Sequence, residues 1–194
     1  MKGQRLTLTL FITGAILLLA AAGWFVWTRY SVGRYARDAE KTVETLYSLM
    51  PQITNGAPND RANPQMSAIE VDGKNFVGII EVPAYDRSLP IYASWDRDMI
   101  SHFPCRLLGS VHDSTLIVGG SDGEGQFDFA SDISIGDTVY VIDTLGVRYR
   151  YRVSNIRRTN DVSTENLTKE QAALTLFAKN SLDFDYTVIY CEII

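Results

Sequence analysis

Hydrophobic and polar positions divide the 194-residue chain into stretches of different period. Leu6–Trp27 (LTLTLFITGAILLLAAAGWFVW) is 22 residues without a charge. As a helix it would span roughly 33 Å, against about 30 Å for the hydrocarbon core of a bilayer. Trp24, Trp27 and Tyr30 gather at its end, where an interfacial aromatic belt is expected. Beyond it, Tyr35, Ala39, Val43, Leu46, Tyr47 and Met50 recur at spacings of three and four, with Asp38, Glu40, Lys41 and Glu44 on the other faces. That pattern predicts an amphipathic helix over 31–50, stopped by Pro51. The following PQITNGAPNDRANPQM (51–66) has the composition of an exposed linker.

From about residue 67 the period falls to two. Runs at 75–82, 114–118, 138–143, 147–156, 174–177 and 186–193 read as strands. The firmest is the hairpin of 138–143 with 147–156: Val147, Tyr149, Tyr151 and Val153 alternate with Arg148, Arg150, Arg152 and Ser154 across a Leu145-Gly146 turn. Gly119-Gly120 is expected to close the strand at 114–118. Short helical stretches are expected near Trp95–Ser101 and from Thr168, whose hydroxyl with Gln171 fits a capping box. Many short strands with irregular connections predict an all-β barrel or sandwich with small helices. The resulting organisation is a transmembrane anchor (1–30), a juxtamembrane helix (31–50), a linker (51–66) and a β domain (67–194).

Ala20-Ala21-Ala22 would suit signal-peptide cleavage, but Trp24-Phe25-Val26-Trp27 continues the apolar run past it and favours a retained anchor. Charge does not orient it. Lys2 and Arg5 precede the run, Arg29, Arg34, Arg37 and Lys41 follow it, and large domains cross membranes largely regardless of such flanks. The net charge of −5 is uneven, with six basic and two acidic residues in 1–41, which leaves the remainder strongly acidic. That balance argues against a nucleic-acid partner for the β domain.

Candidate chemistry is sparse. The stripe Arg148, Arg150, Arg152, with Arg157 and Arg158, could hold an anion, but reads first as the solvated face of a half-buried strand. Asp122, Glu124 and Asp128 in a glycine-rich loop could offer oxygens to calcium, yet the sixth position from Asp122 is Phe127 where an EF-hand needs glycine. His102 and Cys105 are near in sequence, but a thiolate–imidazole pair is made by spatial, not sequential, adjacency. Cys105 and Cys191 read as structural thiols whose pairing the sequence leaves open.

The order of segments over about 76–194 resembles the sortases, chiefly their class B-like group in Gram-positive bacteria. The resemblance is carried by VGIIEVPAYDRSLPIY (77–92), FPCRLLGSVHDSTLIVGG (103–120), ISIGDTVYVIDTLGVRYRYRV (133–153) and LTLFAK (174–179). It implies a closed barrel of about eight strands on an outward-facing membrane anchor, with no cofactor or metal. Active sortases form a thioacyl-enzyme on a cysteine and pass the acyl group to an amine, with a histidine as acid/base and an arginine steadying the oxyanion. Here the histidine position falls on Gly120, the cysteine on Lys179 and the arginine on Tyr186. No catalytic residue is therefore expected. The implied groove is lined by Gly119, Gly120, Ser121, Ala178, Lys179 and Tyr186. The partner expected there is a peptide, a surface-protein tail, or an active sortase or pilus component. The rival is an enzyme using Lys179 as nucleophile, or Cys105 with His102.

Overall fold

In a computed structural model of the chain, the described residues are 2–56, 65–181 and 183–194, the side chains of 2–12 and 26–32 excepted. Two compact units are formed, 1–34 and 35–194. The first consists of part of helix α1 (Lys2–Leu49). Ile16, Leu17, Leu18, Leu19, Trp24 and Phe25 are all exposed on it. Among the described residues no helix is long and apolar enough to cross a membrane; 6–12 and 26–27 of the predicted span lie outside those whose side chains are described.

The second unit holds the strands β1 (Thr54–Asn55), β2 (Ile69–Val71), β3 (Lys74–Val82), β4 (Arg87–Tyr92), β5 (Cys105–Leu108), β6 (Leu116–Ser121), β7 (Thr138–Asp143), β8 (Val147–Thr159), β9 (Leu174–Lys179) and β10 (Tyr186–Ile193). Eight of them close a ring in the order β8-β10-β9-β6-β5-β4-β3-β7 and back to β8, because β7 pairs with both β3 and β8. The expected barrel is therefore present. β2 extends β3 at an edge. Within the linker, β1 pairs in parallel with β8, Thr54 opposite Val147, so part of the linker belongs to the sheet. Its residues 57–64 lie outside the described ones.

Strand alternation sorts the side chains into layers. Ile80, Val118, Val139, Val141, Tyr149, Tyr151, Leu176 and Ile189 fill the barrel interior. Their neighbours Ile79 and Ile142 point outward and meet Ala39, Val43 and Leu46 from the 35–49 part of the first helix and Met50 just past its end, together with Phe76 and Phe103. The 3.6-residue stripe read from the sequence is thus buried against the barrel. The Tyr47 hydroxyl donates to Glu81 Oε1 at 2.6 Å, and Glu81 also takes Arg148, whose guanidinium lies 3.7 Å from the centre of the Tyr140 ring. The helix is part of the folded unit, which begins at residue 35 rather than 67.

Three local expectations change. Gly119-Gly120 does not end its strand: β6 runs to Ser121, because the glycines pair with Phe177 and Ala178 of β9. The predicted helix start at Thr168 is a helix end. α2 spans Thr164–Thr168, and the Thr168 hydroxyl donates back to the Thr164 carbonyl at 2.8 Å, so it caps nothing downstream. The helical stretch at 95–101 narrows to a 3-10 turn, Met99–Ser101.

Leu46 is fully buried between helix and barrel, so Leu46→Ala should cost about 2–5 kcal/mol in chemical denaturation. The Tyr151 hydroxyl sits in the interior with no hydrogen-bond partner. Tyr151→Phe removes only an unpaired polar group, and should leave stability within about 1 kcal/mol of the parent or raise it.

Candidate functional site

The ends of β6, β9 and β10 lie side by side because β6 and β9 run parallel in strict register, Gly120 opposite Ala178 and Ser121 opposite Lys179, while Tyr186 of β10 lies opposite Lys179. Directly opposed residues share a face, so Ser121, Lys179 and Tyr186 form one row on the outside of the barrel, with strands about 4.8 Å apart. Gly120 and Ala178 belong to the row before it and face inward. A Cβ on Gly120 would come within 2.9 Å of the Phe127 ring and 3.2 Å of Gln126 Oε1. That space is filled.

Gly119 faces outward, and a Cβ there would lie 2.3 Å from the Phe177 ring and 2.7 Å from Trp95. The missing side chain lets Trp95 and Phe177 stack against the strand, centroids 5.7 Å apart. Phe177 in turn meets Tyr186 edge-on at 6.3 Å. The outcome is an aromatic ledge across three strands, with Trp95 42% exposed and Lys179 on the solvent side of its end.

Two loops frame the row. After β6 the chain turns so that the Phe127 amide donates to the Ser121 carbonyl at 2.9 Å. Buried Gln126 accepts from the Ser121 amide at 3.0 Å and donates to the Ile100 carbonyl at 3.0 Å. After β9, the Asp122 amide donates to the Lys179 carbonyl at 3.1 Å, and the Asp122 carboxylate accepts from the Ser181 amide and hydroxyl. The Asn180 amide donates to the Asp185 carbonyl, and its side chain accepts from the buried Thr187 hydroxyl at 3.1 Å. Phe184, 98% exposed, projects from this loop.

No family model matches the sequence, and no curated protein matches it either. Solved structures do match in three dimensions. Sortase C1 from Streptococcus agalactiae superposes with a TM-score of 0.53 at 19% identity, over 64% of this chain and 70% of that one. Sortase C from Clostridium perfringens, solved with the C-terminal cell wall sorting motif, gives 0.50 at 16% identity over 61% and 70%. A sortase D5 transpeptidase from the same organism gives 0.50 at 12% identity over 61% and 79%. The chain has the sortase fold. The sequence resemblance pointed to the class B-like group while these neighbours are of classes C and D, and at such identities the likeness speaks for the fold alone.

On this sortase fold neither thiol lies in the row. Cys105 (β5) and Cys191 (β10) are both buried and free. Desolvation pushes each thiol up to about 12. The Cys105 thiol donates to the Phe103 carbonyl at 3.4 Å, not to an imidazole. His102 lies edge-on to Tyr35, ring centroids 4.3 Å apart. His112 sits in the β5–β6 loop at the opposite end of β6, with Nδ1 3.2 Å from the Tyr149 hydroxyl. Lys179, the other nucleophile considered, is exposed, without the burial that activates a lysine.

Most of the remaining charged candidates have structural partners. Asp128 takes a bidentate contact from Arg87 at 2.8–3.1 Å, and Asp122 is engaged by Ser181. Among the described residues no group of three or more His, Cys, Asp or Glu is placed to hold a metal ion. In the arginine stripe, Arg148 pairs with Glu81, Arg152 with Glu192 at 3.8 Å, and Arg158 with Asp183 at 3.7 Å, while Arg157 donates to the Tyr190 hydroxyl at 2.8 Å. Sequence reasoning missed Trp95, Phe177, Phe127 and Gln126. The two glycines were the available signal, since a strand glycine often marks where something else approaches the backbone.

At pH 8 both thiols should react with iodoacetamide about a thousandfold more slowly than a free cysteine, and normally once the chain is unfolded. The unfolded thiols ionise near 9.0 and the folded ones only near 12. Between these values the unfolded state binds fewer protons, so stability should fall as pH rises through that window, as urea titrations at stepped pH would read.

Proposed function

We propose that this chain is a membrane-anchored, extracytoplasmic sortase-fold protein that binds a peptide or surface-protein tail at the ends of β6, β9 and β10 without catalysing acyl transfer. Its partner is the tail itself, or an active sortase or pilus component that carries one. The observation that carries the reading is the row Ser121, Lys179 and Tyr186. It contains neither thiol nor imidazole, and both cysteines are buried elsewhere in the barrel. The aromatic ledge beside it supports a binding role, because Trp95 and half-buried Tyr186, held in place by buried Phe177, offer rigid apolar area at little entropic cost. The uncharged run at 6–27 supports the anchor. The likeness to sortases supports the outward orientation.

The test is a transpeptidation assay on the full chain in detergent, with sorting-motif peptides and an amine acceptor. Two altered chains run beside it. Both carry Lys179→Cys and Tyr186→Arg, one with Gly120→His as the sequence match suggests, the other with Ser121→His as the strand register suggests. The natural chain should be silent yet retain at least one peptide in a binding assay, and Trp95→Ala should weaken that binding about tenfold. Transfer by the natural chain would overturn the proposal.

A further inference from the structure

The loop between β6 and the 3-10 helix Asp128–Ser131 is gripped from two sides. On one side Gln126, 3% exposed, ties the Ser121 amide to the Ile100 carbonyl, so the end of β6 and the Met99–Ser101 turn share one side chain. On the other side the loop meets Ala36, the second residue of the folded unit. Gly125 has φ of +81°, and a Cβ on it would lie 2.5 Å from Ala36 Cα and 2.6 Å from Ala36 Cβ. The helix is thus seated directly on the loop backbone, with only the small Ala36 residue at the contact. One residue earlier, Tyr35 packs edge-on against His102, which caps the same Met99–Ser101 turn. Tyr35 thus backs the turn at the Ile100 end of the Gln126 bridge, while Ala36 backs Gly125 beside Gln126 itself. These residues are also the part of the unit nearest in sequence to the uncharged run.

We infer that seating Tyr35 and Ala36 on this surface holds the 121–127 loop and, through Gln126, the end of β6 in register with Lys179. The helix then positions the proposed site as well as covering the barrel. The rest of the helix contact is larger: Ala39, Val43, Leu46 and Met50 pack on outward residues of β3 and β7 and on Phe103, and can stay docked when the seat is lost. The helix would act as a switch for the site if its leading residues were lifted, because no covalent link other than the distant chain joins the two.

The inference rests on the proposed site for its functional meaning, but its physical content is tested separately. Amide hydrogen exchange would be followed in the full chain in detergent for two substitutions, Ala36→Phe, which forces the helix off Gly125, and Tyr35→Ala, which empties the contact on His102 without overpacking. Each should speed exchange at the Ser121 and Phe127 amides by about tenfold, with the β7–β8 hairpin unchanged. Ser48→Ala, exposed on the same helix, should change neither. If the 121–127 amides keep their parental rates in both variants, or speed up only together with the hairpin, the helix has no positioning role and the inference falls. Peptide affinity, measured in the same samples, should drop with loop protection. Loop loosening without peptide binding in any sample would leave the mechanical coupling standing and refute the proposed function instead.

Discussion

The barrel depends on the parallel pairing of β6 with β9. The two strands are far apart in sequence, and every other neighbour of either is antiparallel. Six consecutive residue pairs join them, Leu116 with Leu174 through Ser121 with Lys179. Without this ladder the eight-stranded ring opens, and the interior shared by Val118, Leu176, Ile189 and Tyr151 loses a wall. Parallel pairing needs a long crossover rather than a tight turn. The intervening chain makes use of its length, building the β7–β8 hairpin that closes the ring on its far side. The same ladder fixes which residues stand together at its end, so closure and site have one origin.

That origin explains what could be read in advance. The β7–β8 hairpin was legible because its pattern is local: alternation in 147–153 and a Leu145-Gly146 turn, with Asp143 Oδ1 accepting from the Leu145 and Val147 amides at 3.0 and 2.9 Å. The helix stripe from Tyr35 to Met50 was legible for the same reason. Its docking was not, because the receiving surface of Ile79, Ile142, Phe76 and Phe103 is assembled from separate strands and a loop. The end of β6 was misread for a related reason. Glycine pairs usually stop strands, and only the partner Phe177, folded back over Gly119, shows why these two continue one. The site rows were likewise out of reach. Sequence order placed Gly120, Lys179 and Tyr186 together, whereas register sets Gly120 on the inner face and Ser121 in the outer row.

The arginine stripe shows how charge follows from the same geometry. Alternation puts Arg148, Arg150 and Arg152 on the outer face of β8, where the neighbours in the closed ring differ along its length. Near its start the face looks toward β7, β3 and the docked helix, so Arg148 is drawn into the partly buried cluster of Glu81, Tyr47 and Tyr140. Farther along it looks toward β10, and Arg152 meets Glu192 at the exposed surface, where such a pair contributes less than about 1 kcal/mol. One sequence pattern thus yields one consequential contact and several weak ones.

The positions matched to the sortase catalytic residues differ from a site that has merely lost its functional groups. Simple loss would leave a hollow lined by polar atoms that had served the missing side chains. Here the inward side of Gly120 is filled by Phe127, the outward side of Gly119 by Phe177 and Trp95, and the amide of Ser121 is satisfied by Gln126. A histidine at residue 120 would have to displace a fully buried phenylalanine ring, which overpacking data put at about 1–3 kcal/mol. A histidine at 121 meets no such obstacle, since that residue faces outward beside Lys179. The packing therefore commits the inner row to the barrel core and leaves the outer row, with Lys179 and Trp95, facing solvent.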